Sequence, residues 1–518
     1  MKKGFTLIEL LAVILILGII ALIAIPTVNN ILKEARRGAF SSTLTNIEKT
    51  IENDCTVSQI KNEDINYTYT ITDGTISPSI DIKGDLPDGT IYVDDKCSVG
   101  YILFDSNFTG IKKPEGEMEI SDKKIYIENI LNGAIPVLSN NLIPVTIDDD
   151  GTVRQADIYE KWYSYVEKKW ANAVILTNSG KIEDDGTILE DSIESYFVWI
   201  PRYKYKLFDM GNYSVSAGDV QPENSKSQEI EIIFENKNNN ISEGREVGQY
   251  HSHPAFQDFD TNGFWVGKFE TTGDVSNVTI KPQKSVIRSI NIKTSFQSAY
   301  NYNRNHNSHM MKNTEWGAAA YLSISKYGIN KEININNYNG YKTGYSAVIG
   351  TDQSKYPGTH GSDSSVTLPY NTETGYLAST TGNITGIYDM NGGLHEYMAS
   401  YLNSNLGDSG FTSDPSLIYG NKYFDIYYNE GGKGALFNRI LGDATGELGP
   451  FYYYTDEDEN YRYHNSWWKD NSAMVNQTYP WFMRGGNLTS GVLGGQLNCS
   501  INEGNGRNDI TFRIVLSN

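Results

Sequence analysis

MKKGFTLIELLAVILILGIIALIAIP, residues 1–26, decides how the rest of this 518-residue chain is read. Two lysines precede Gly4, and the 21 residues from Phe5 to Ile25 carry one charge, Glu9. At about 1.5 Å per residue that run is roughly 31 Å long, enough to cross the hydrocarbon core of a bilayer as one helix. A secretory signal has a shorter apolar region with its small-residue cut after it. Here the small residue comes first, so a cut at Gly4 removes the basic leader and leaves the apolar helix on the product. A carboxylate within such a helix costs about 2.5–3.5 kcal/mol and marks a function or a partner.

The KKG-FTLIEL segment resembles the class III leader and amino-terminal helix of type IV pilins and pseudopilins, over about the first 35 residues. The resemblance implies cleavage between Gly4 and Phe5 by a membrane prepilin peptidase and methylation of the new Phe5 amine. It also implies a Glu9 carboxylate that meets the amine of a neighbouring subunit during assembly. Pro26 lacks a backbone N–H and is expected to bend or loosen the helix. Beyond it, Val28, Ile31, Leu32, Ala35, Ala39, Leu44, Ile47 and Ile51 keep helical spacing, while Lys33, Glu34, Arg36 and Arg37 face elsewhere. The helix is expected to reach Asp54, with its apolar stripe covered by a small sheet. Short alternating runs, Tyr67 to Ile71, Thr90 to Val93 and Tyr101 to Phe104, read as the strands of that sheet, with turn signals at Asp73-Gly74, Lys83-Gly84 and Asp88-Gly89.

The chain holds 43 lysines and arginines against 63 aspartates and glutamates, a formal charge of −20. So acidic a chain offers no global footprint for a polyanion, which excludes nucleic acid as the main partner. Its 36 tyrosines suit a recognition surface, because tyrosine gives rigid amphipathic contact area. Three cysteines exclude a dense disulfide framework. Cys55 and Cys97 fall in the first region and are expected to pair in an oxidising exterior. Cys499 reads as a small, partly buried side chain.

The expected organisation is a leader at 1–4, a helix at 5–54 whose part 5–25 spans the membrane, a β layer at 55–120, a linker at 121–134 and a large domain at 135–518. The fold class is α+β. Within the large domain four segments stand in order. They are Gly263 to Thr272, Met311 to Leu322, Asn383 to Tyr397, and Arg484-Gly485-Gly486-Asn487 followed by Phe512-Arg513-Ile514. Together they resemble the formylglycine-generating enzyme and sulfatase-modifying-factor family, a variant of the C-type lectin fold, over roughly 195–518. This chain departs from the family pattern at Gly392-Gly393 and at His395-Glu396-Tyr397. Arg484 and Arg513 are expected to reach buried carboxylates, Asp389 and Glu396, since an unpaired buried charge is costly. Gly485 and Gly486 are expected to supply backbone freedom, and Trp265 and Trp316 to fill the core. The oxidase activity of the family relies on two closely spaced cysteines after the Arg-Gly-Gly motif. Leu488-Thr489-Ser490-Gly491 stands there instead, so no catalytic residues are assigned and the chain reads as a non-enzyme.

The stretch 487–509 is rich in glycine and small polar residues and reads as a solvated loop between fixed strands. In lectin-like proteins this position forms the ligand face, which makes Asn487, Leu488, Thr489, Ser490, Gln496, Asn498, Ser500, Asn502 and Asn505 the binding candidates. It also resembles the variable segments of lectin-like proteins diversified by retroelements. His251, His253, His306 and His309 read as solvated loop histidines that lack a completing zinc pattern. Asp456 to Glu459 lacks the spacing of a calcium loop and reads as a solvated turn. No cofactor is assigned. A lectin-like fold has room for calcium, without a position for it. The expected function is a minor type IV pilin or pseudopilin, made as a membrane precursor and then displayed on a surface filament with its carboxyl-terminal domain outside. Its expected partners are other pilin subunits, the prepilin peptidase, membrane lipid along 5–25 and a surface glycan or protein ligand. The alternatives are a surface enzyme of another chemistry and a structural cap that starts or ends assembly.

Overall fold

The computed structural model describes residues 7–61, 65, 68–72, 74–94, 96–121, 135–138, 141–206, 227–235, 237, 241–242, 246, 248–347, 367–403, 405–428, 440–445, 454–455, 461–465 and 467–517. Of 7–27, 29, 72, 454–455, 461–465, 469 and 492 only the backbone is described. Gly4, Phe5, the stretch 122–134 and Asp456 to Glu459 therefore lie outside the described residues, as does the Glu9 side chain. The chain divides into two compact units, Met1–Ile127 and Glu128–Asn518. It is an α+β protein, rich in sheet and poor in helix.

In the first unit helix α1 runs Leu7–Lys61 and continues through Pro26 without a break in its helical backbone. It passes the expected end at Asp54 by about two turns. The cause is visible in the pattern, because Ile47, Ile51 and Cys55 recur every fourth residue and all three are buried on the same face. Six antiparallel strands cover that face: β1 (Thr68–Thr72), β2 (Thr75–Ser77), β3 (Asp88–Val93), β4 (Val99–Phe104), β5 (Thr109–Lys112) and β6 (Glu119–Ser121). Their order is β2-β1-β3-β4-β5-β6. Phe40, Leu44, Ile47 and Ile51 pack on Tyr69, Ile91, Val99, Tyr101, Leu103 and Phe108. Cys55 and Cys97 are joined by a disulfide, Cα atoms 5.6 Å apart, across 42 residues of sequence. In the chain-entropy picture a loop of that size stabilises the folded state by about 4 kcal/mol.

The stripe is covered over less of its length than its spacing suggests. Val28, Ile31 and Leu32 are 52%, 63% and 49% exposed. The buried cluster under the sheet takes α1 residues from Phe40 to Cys55 and, among the described residues, none before. Among the described residues no helix is long and apolar enough to cross a membrane, and the side chains of the apolar stretch up to residue 27 are not among them.

In the second unit two eight-stranded sheets share one central helix. The first sheet is built on the strand Ile193–Pro201, flanked by Asn172–Leu176 and Gly263–Gly267. Trp199 stands opposite Trp265 in that register, ring centroids 5.2 Å apart and both rings buried. Ile514–Leu516 lies between Gly263–Gly267 and His309–Met310. The second sheet is built on His395–Leu402. That strand pairs antiparallel with Trp481–Gly485 and parallel with both Asp425–Tyr427 and Ile510–Phe512. The helix Asn313–Ser323 lies against Ile193–Pro201 and His395–Leu402, and each of its residues is buried. Its run of Gly317 and three alanines suits such a position. Its first turn is fixed by Glu315, whose Oε2 accepts the Lys312 N–H at 2.9 Å, and by Asp425, whose Oδ2 accepts the Thr314 N–H at 2.7 Å.

Candidate functional site

The four segments singled out in the sequence converge where the chain passes from one sheet to the other, at Arg513 between Ile510–Phe512 and Ile514–Leu516. Arg513 is buried. Its Nε donates to Glu396 Oε2 at 2.9 Å, Nη2 also reaches Glu396 Oε1, and the same guanidinium donates to the carbonyls of Gly267 at 2.8 Å and Tyr388 at 3.0 Å. Two further buried acids stand nearby. Asp389 accepts from Asn336 Nδ2 at 2.8 Å and from the Gly344 N–H at 2.9 Å. Glu270 accepts the Leu394 N–H on Oε1 at 2.7 Å, and its Oε2 has no hydrogen-bond partner among the described residues.

Three carboxyls facing one guanidinium cannot all stay ionised in a dry interior. Burial and the neighbouring Asp389 and Glu396 push the Glu270 pKa well up. Burial also raises Glu396 and Asp389, opposed in each by Arg513. Gly393 belongs to this arrangement. It has φ +66°, and a Cβ there would sit 2.7 Å from Glu270 Oε1, so the glycine leaves room for the acid.

Arg484 departs from expectation. Its strand pairs Glu396 with Arg484 in register, but the guanidinium turns away from both expected acids. It donates to the carbonyls of Asp443 at 3.4 Å and Ala444 at 2.8 Å, and lies 5.7 Å from the Trp316 ring. Arg513 already occupies Glu396, and a segment 40 residues away supplies the carbonyls. Gly485 and Gly486 follow at φ +81° and +79°.

The stretch 487–509 is a short loop followed by a strand rather than one solvated loop. Gly495–Asn502 pairs with Trp481–Gly485, and Gln496, Asn498 and Asn502 are buried. Gln496 Oε1 accepts from Ser323 Oγ at 3.0 Å and its amide donates to the Lys331 carbonyl at 3.3 Å. Asn498 donates to the Leu493 carbonyl at 2.6 Å, and Asn502 accepts the Tyr397 hydroxyl at 2.6 Å. These amides fasten the interior. Ser500 and Asn505 are half-buried, and the Asn505 carbonyl shares the same Tyr397 hydroxyl proton at 2.6 Å. Two parts reach solvent: the turn 487–493, where Asn487 Oδ1 accepts from the Thr489 N–H and Ser490 Oγ and where Thr489 and Leu493 are exposed, and the exposed Gly506, Arg507 and Asn508 beyond the strand. Cys499 is fully buried, donates to the Ala473 carbonyl at 3.3 Å, and its pKa is pushed up to about 11 by burial, so it is a thiol at neutral pH.

The histidines are also further inside than their polar neighbours suggest. His253 is buried among the rings of Tyr203, Tyr205, Phe256 and Tyr321 at 5.2–5.8 Å, and burial lowers its pKa to about 3. His309 is buried, stacks on Phe259 at 4.9 Å and bonds Glu315 at 2.8 Å. His251 is buried against the Glu246 carbonyl at 3.1 Å, and His306 alone is half-exposed. The four do not meet, and among the described residues no group of three or more His, Cys, Asp or Glu side chains is placed to hold a metal ion.

Several buried charges went unnoticed in the sequence, and two of them are Lys268 and Asp425. Lys268 donates to Asn172 Oδ1 at 2.8 Å and to the carbonyls of Ile384 at 2.6 Å and Gly386 at 3.0 Å, which uses all three ammonium protons against a burial that pushes its pKa down. The signal was present, since Lys268 and Glu270 flank Phe269 directly after the apolar strand Gly263–Gly267. Asp425 is the second. In the unfolded chain it titrates near 3.8, and burial, opposed by Lys312, pushes it up to about 7. Between those values the folded state holds a proton that the unfolded chain has released, so stability falls as pH rises through that window and the whole cost is present above it. The Asp425→Asn variant keeps an acceptor for the Thr314 N–H. Its unfolding midpoint is expected to lose the part of the pH 4–7 slope due to this group, on the order of 4 kcal/mol. Thermal melts at several pH values check this, and an unchanged slope counts against it.

Residues 1–25 match the family model described as the prokaryotic N-terminal methylation motif. A comparison with curated proteins gives no match. The chain thus carries a type IV pilin-like amino-terminal region, and α1 continues from that region into a packed sheet.

Proposed function

We propose that this chain is a minor type IV pilin or pseudopilin that carries its second unit on a surface filament as a recognition module. The single observation behind the reading is the methylation motif at 1–25 continuing into a helix whose far half is packed in a small antiparallel sheet. In this reading the prepilin peptidase cuts between Gly4 and Phe5, residues 5–25 sit in the membrane before assembly, and Glu9 meets the Phe5 amine of a neighbouring subunit. The exposed Val28, Ile31 and Leu32 then pack against other subunits, as bare apolar helix surface requires.

For the second unit we infer a lectin-like fold of the sulfatase-modifying-factor kind. The convergence of Glu270, Trp316, Asp389, Arg484 and Arg513 in one core supports it. Its ligand face is the turn of Asn487, Leu488, Thr489 and Ser490, because Gln496, Asn498 and Asn502 are buried. A minor subunit suits the size, since a unit of 391 residues, Glu128–Asn518, on each subunit would crowd a helical fibre. Sheared filaments are expected to carry this unit, and cells with Thr489→Arg to adhere at least fivefold less to glycan- or protein-coated surfaces. A unit left with the cell envelope after shearing, or unchanged adhesion, overturns the reading.

A further inference from the structure

The second unit holds a cleft to which no residue of the 487–493 turn contributes. The strand Ile143–Ile147, the turn 164–169 and the segment 383–385 wall a cleft of about 510 Å³, a size that holds a small ligand. Its floor is built from buried groups that are already fixed. The Trp170 indole N–H donates to the Tyr327 carbonyl at 2.8 Å, and the Asn172 amide donates to the Thr385 carbonyl at 2.8 Å while accepting from the Lys268 ammonium.

One wall is aromatic. Trp162 and Tyr163 are half-buried, with ring centroids 4.9 Å apart and planes at 81°. Tyr163 leans edge-on against Tyr165, whose buried hydroxyl donates to the Trp199 carbonyl at 2.9 Å. Reciprocal backbone bonds of 2.7 and 2.8 Å between Ser164 and Lys169 close the turn behind them. The rings are thus held before any ligand arrives, which lowers the ordering cost of binding.

The rim carries both signs of charge. Asp148 pairs with Arg154 at 3.3 Å and Lys161 with Glu167. Asp149 and Lys169 form no ion pair among the described residues, and the Trp162 indole N–H donates to none of them. An aromatic wall with a carboxylate alone would select a cation, and a wall with a lysine alone an anion. Together they suit a ligand with apolar C–H faces and hydroxyls that both donate and accept.

We propose that this cleft binds a neutral saccharide, one ring lying against Trp162 and its hydroxyls bonded to Asp149 and Lys169. The full chain, held in a zwitterionic detergent so that no sugar headgroup competes, is exposed to an array of neutral oligosaccharides. The strongest binder is then titrated by calorimetry, which reads the Trp162 variants as well, and against tryptophan emission. Saturable binding is expected, weakened at least tenfold by Trp162→Ala and at least threefold by Asp149→Asn, with Trp162→Phe in between and Thr489→Arg without effect. That last variant separates this cleft from the ligand face proposed above. Binding to no neutral glycan, an affinity that neither Trp162 variant changes, or saturable quenching by tetramethylammonium chloride without any saccharide binding overturns the proposal.

Discussion

Cells that make the Gly4→Glu variant are expected to keep the whole chain in the membrane, with Met1 still in place and none of it in the sheared filament fraction. The small residue before the apolar run is what a leader peptidase of the proposed kind requires, and a bulky charged side chain there stops the cut. Terminal sequencing and mass of the membrane and filament fractions check the result, and a product that still begins at Phe5 sinks the proposed processing. Glu9 supplies the complementary test. An acid at that depth costs about 2.5–3.5 kcal/mol, so Glu9→Val makes membrane insertion easier. If the helix were a plain anchor, the change would leave surface display intact or improved. The pilin reading expects the opposite, a correctly cut chain that reaches filaments at least tenfold less, because the carboxylate has lost the amine it meets in assembly.

The second large effect is expected at Arg513. Arg513→Met removes the one guanidinium that bonds Glu396 and faces Glu270 and Asp389, and leaves three buried acids without it. Breaking a buried pair from one side costs about 3–5 kcal/mol. Melting of the full chain is expected to show the loss in the transition of the second unit, with the first unit's transition unmoved. Adding Glu396→Gln to Arg513→Met should restore part of it, since the partner is then neutral and the two changes are coupled. Equal and additive losses in the two single variants and the double variant would count against the buried cluster as described.

Much of the first unit was legible, for reasons of pattern. Thr90 to Val93 alternates, so one face had to be buried, and Tyr101 to Phe104 lies beside it, whereas Asp88-Gly89, read as a turn, is the start of β3 and pairs with Phe104 and Leu103. The end of α1 was misjudged because Asp54 looks like a stop, whereas Cys55 continues the stripe of Ile47 and Ile51. In the second unit the error at 495–502 is instructive. Leu497, Cys499 and Ile501 alternate with Gln496, Asn498 and Ser500, a period of two, yet polar side chains read locally suggest water. Both faces of this part of the strand are covered, and the amides are satisfied by Ser323, Lys331 and Leu493, none of which the stretch itself announces beyond Leu493. His253 misled for the same reason, since its cage comes from Tyr203, Tyr205 and Tyr321. The saccharide cleft had no local signature at all, because Trp170 and Thr385 meet across 215 residues of sequence.

The position of Arg513 also bears on how the second unit leaves the cytoplasm. It follows Glu396 by 117 residues, and the strands on either side of it join the two sheets. As the chain emerges from the ribosome in order, Glu270, Asp389 and Glu396 are made first and their mutual repulsion goes unanswered. Neither sheet has its full set of strands until 510–516 arrives. In the proposed reading, in which the second unit is exported, so late a keystone is expected to keep the precursor unfolded until nearly all of it has crossed the membrane.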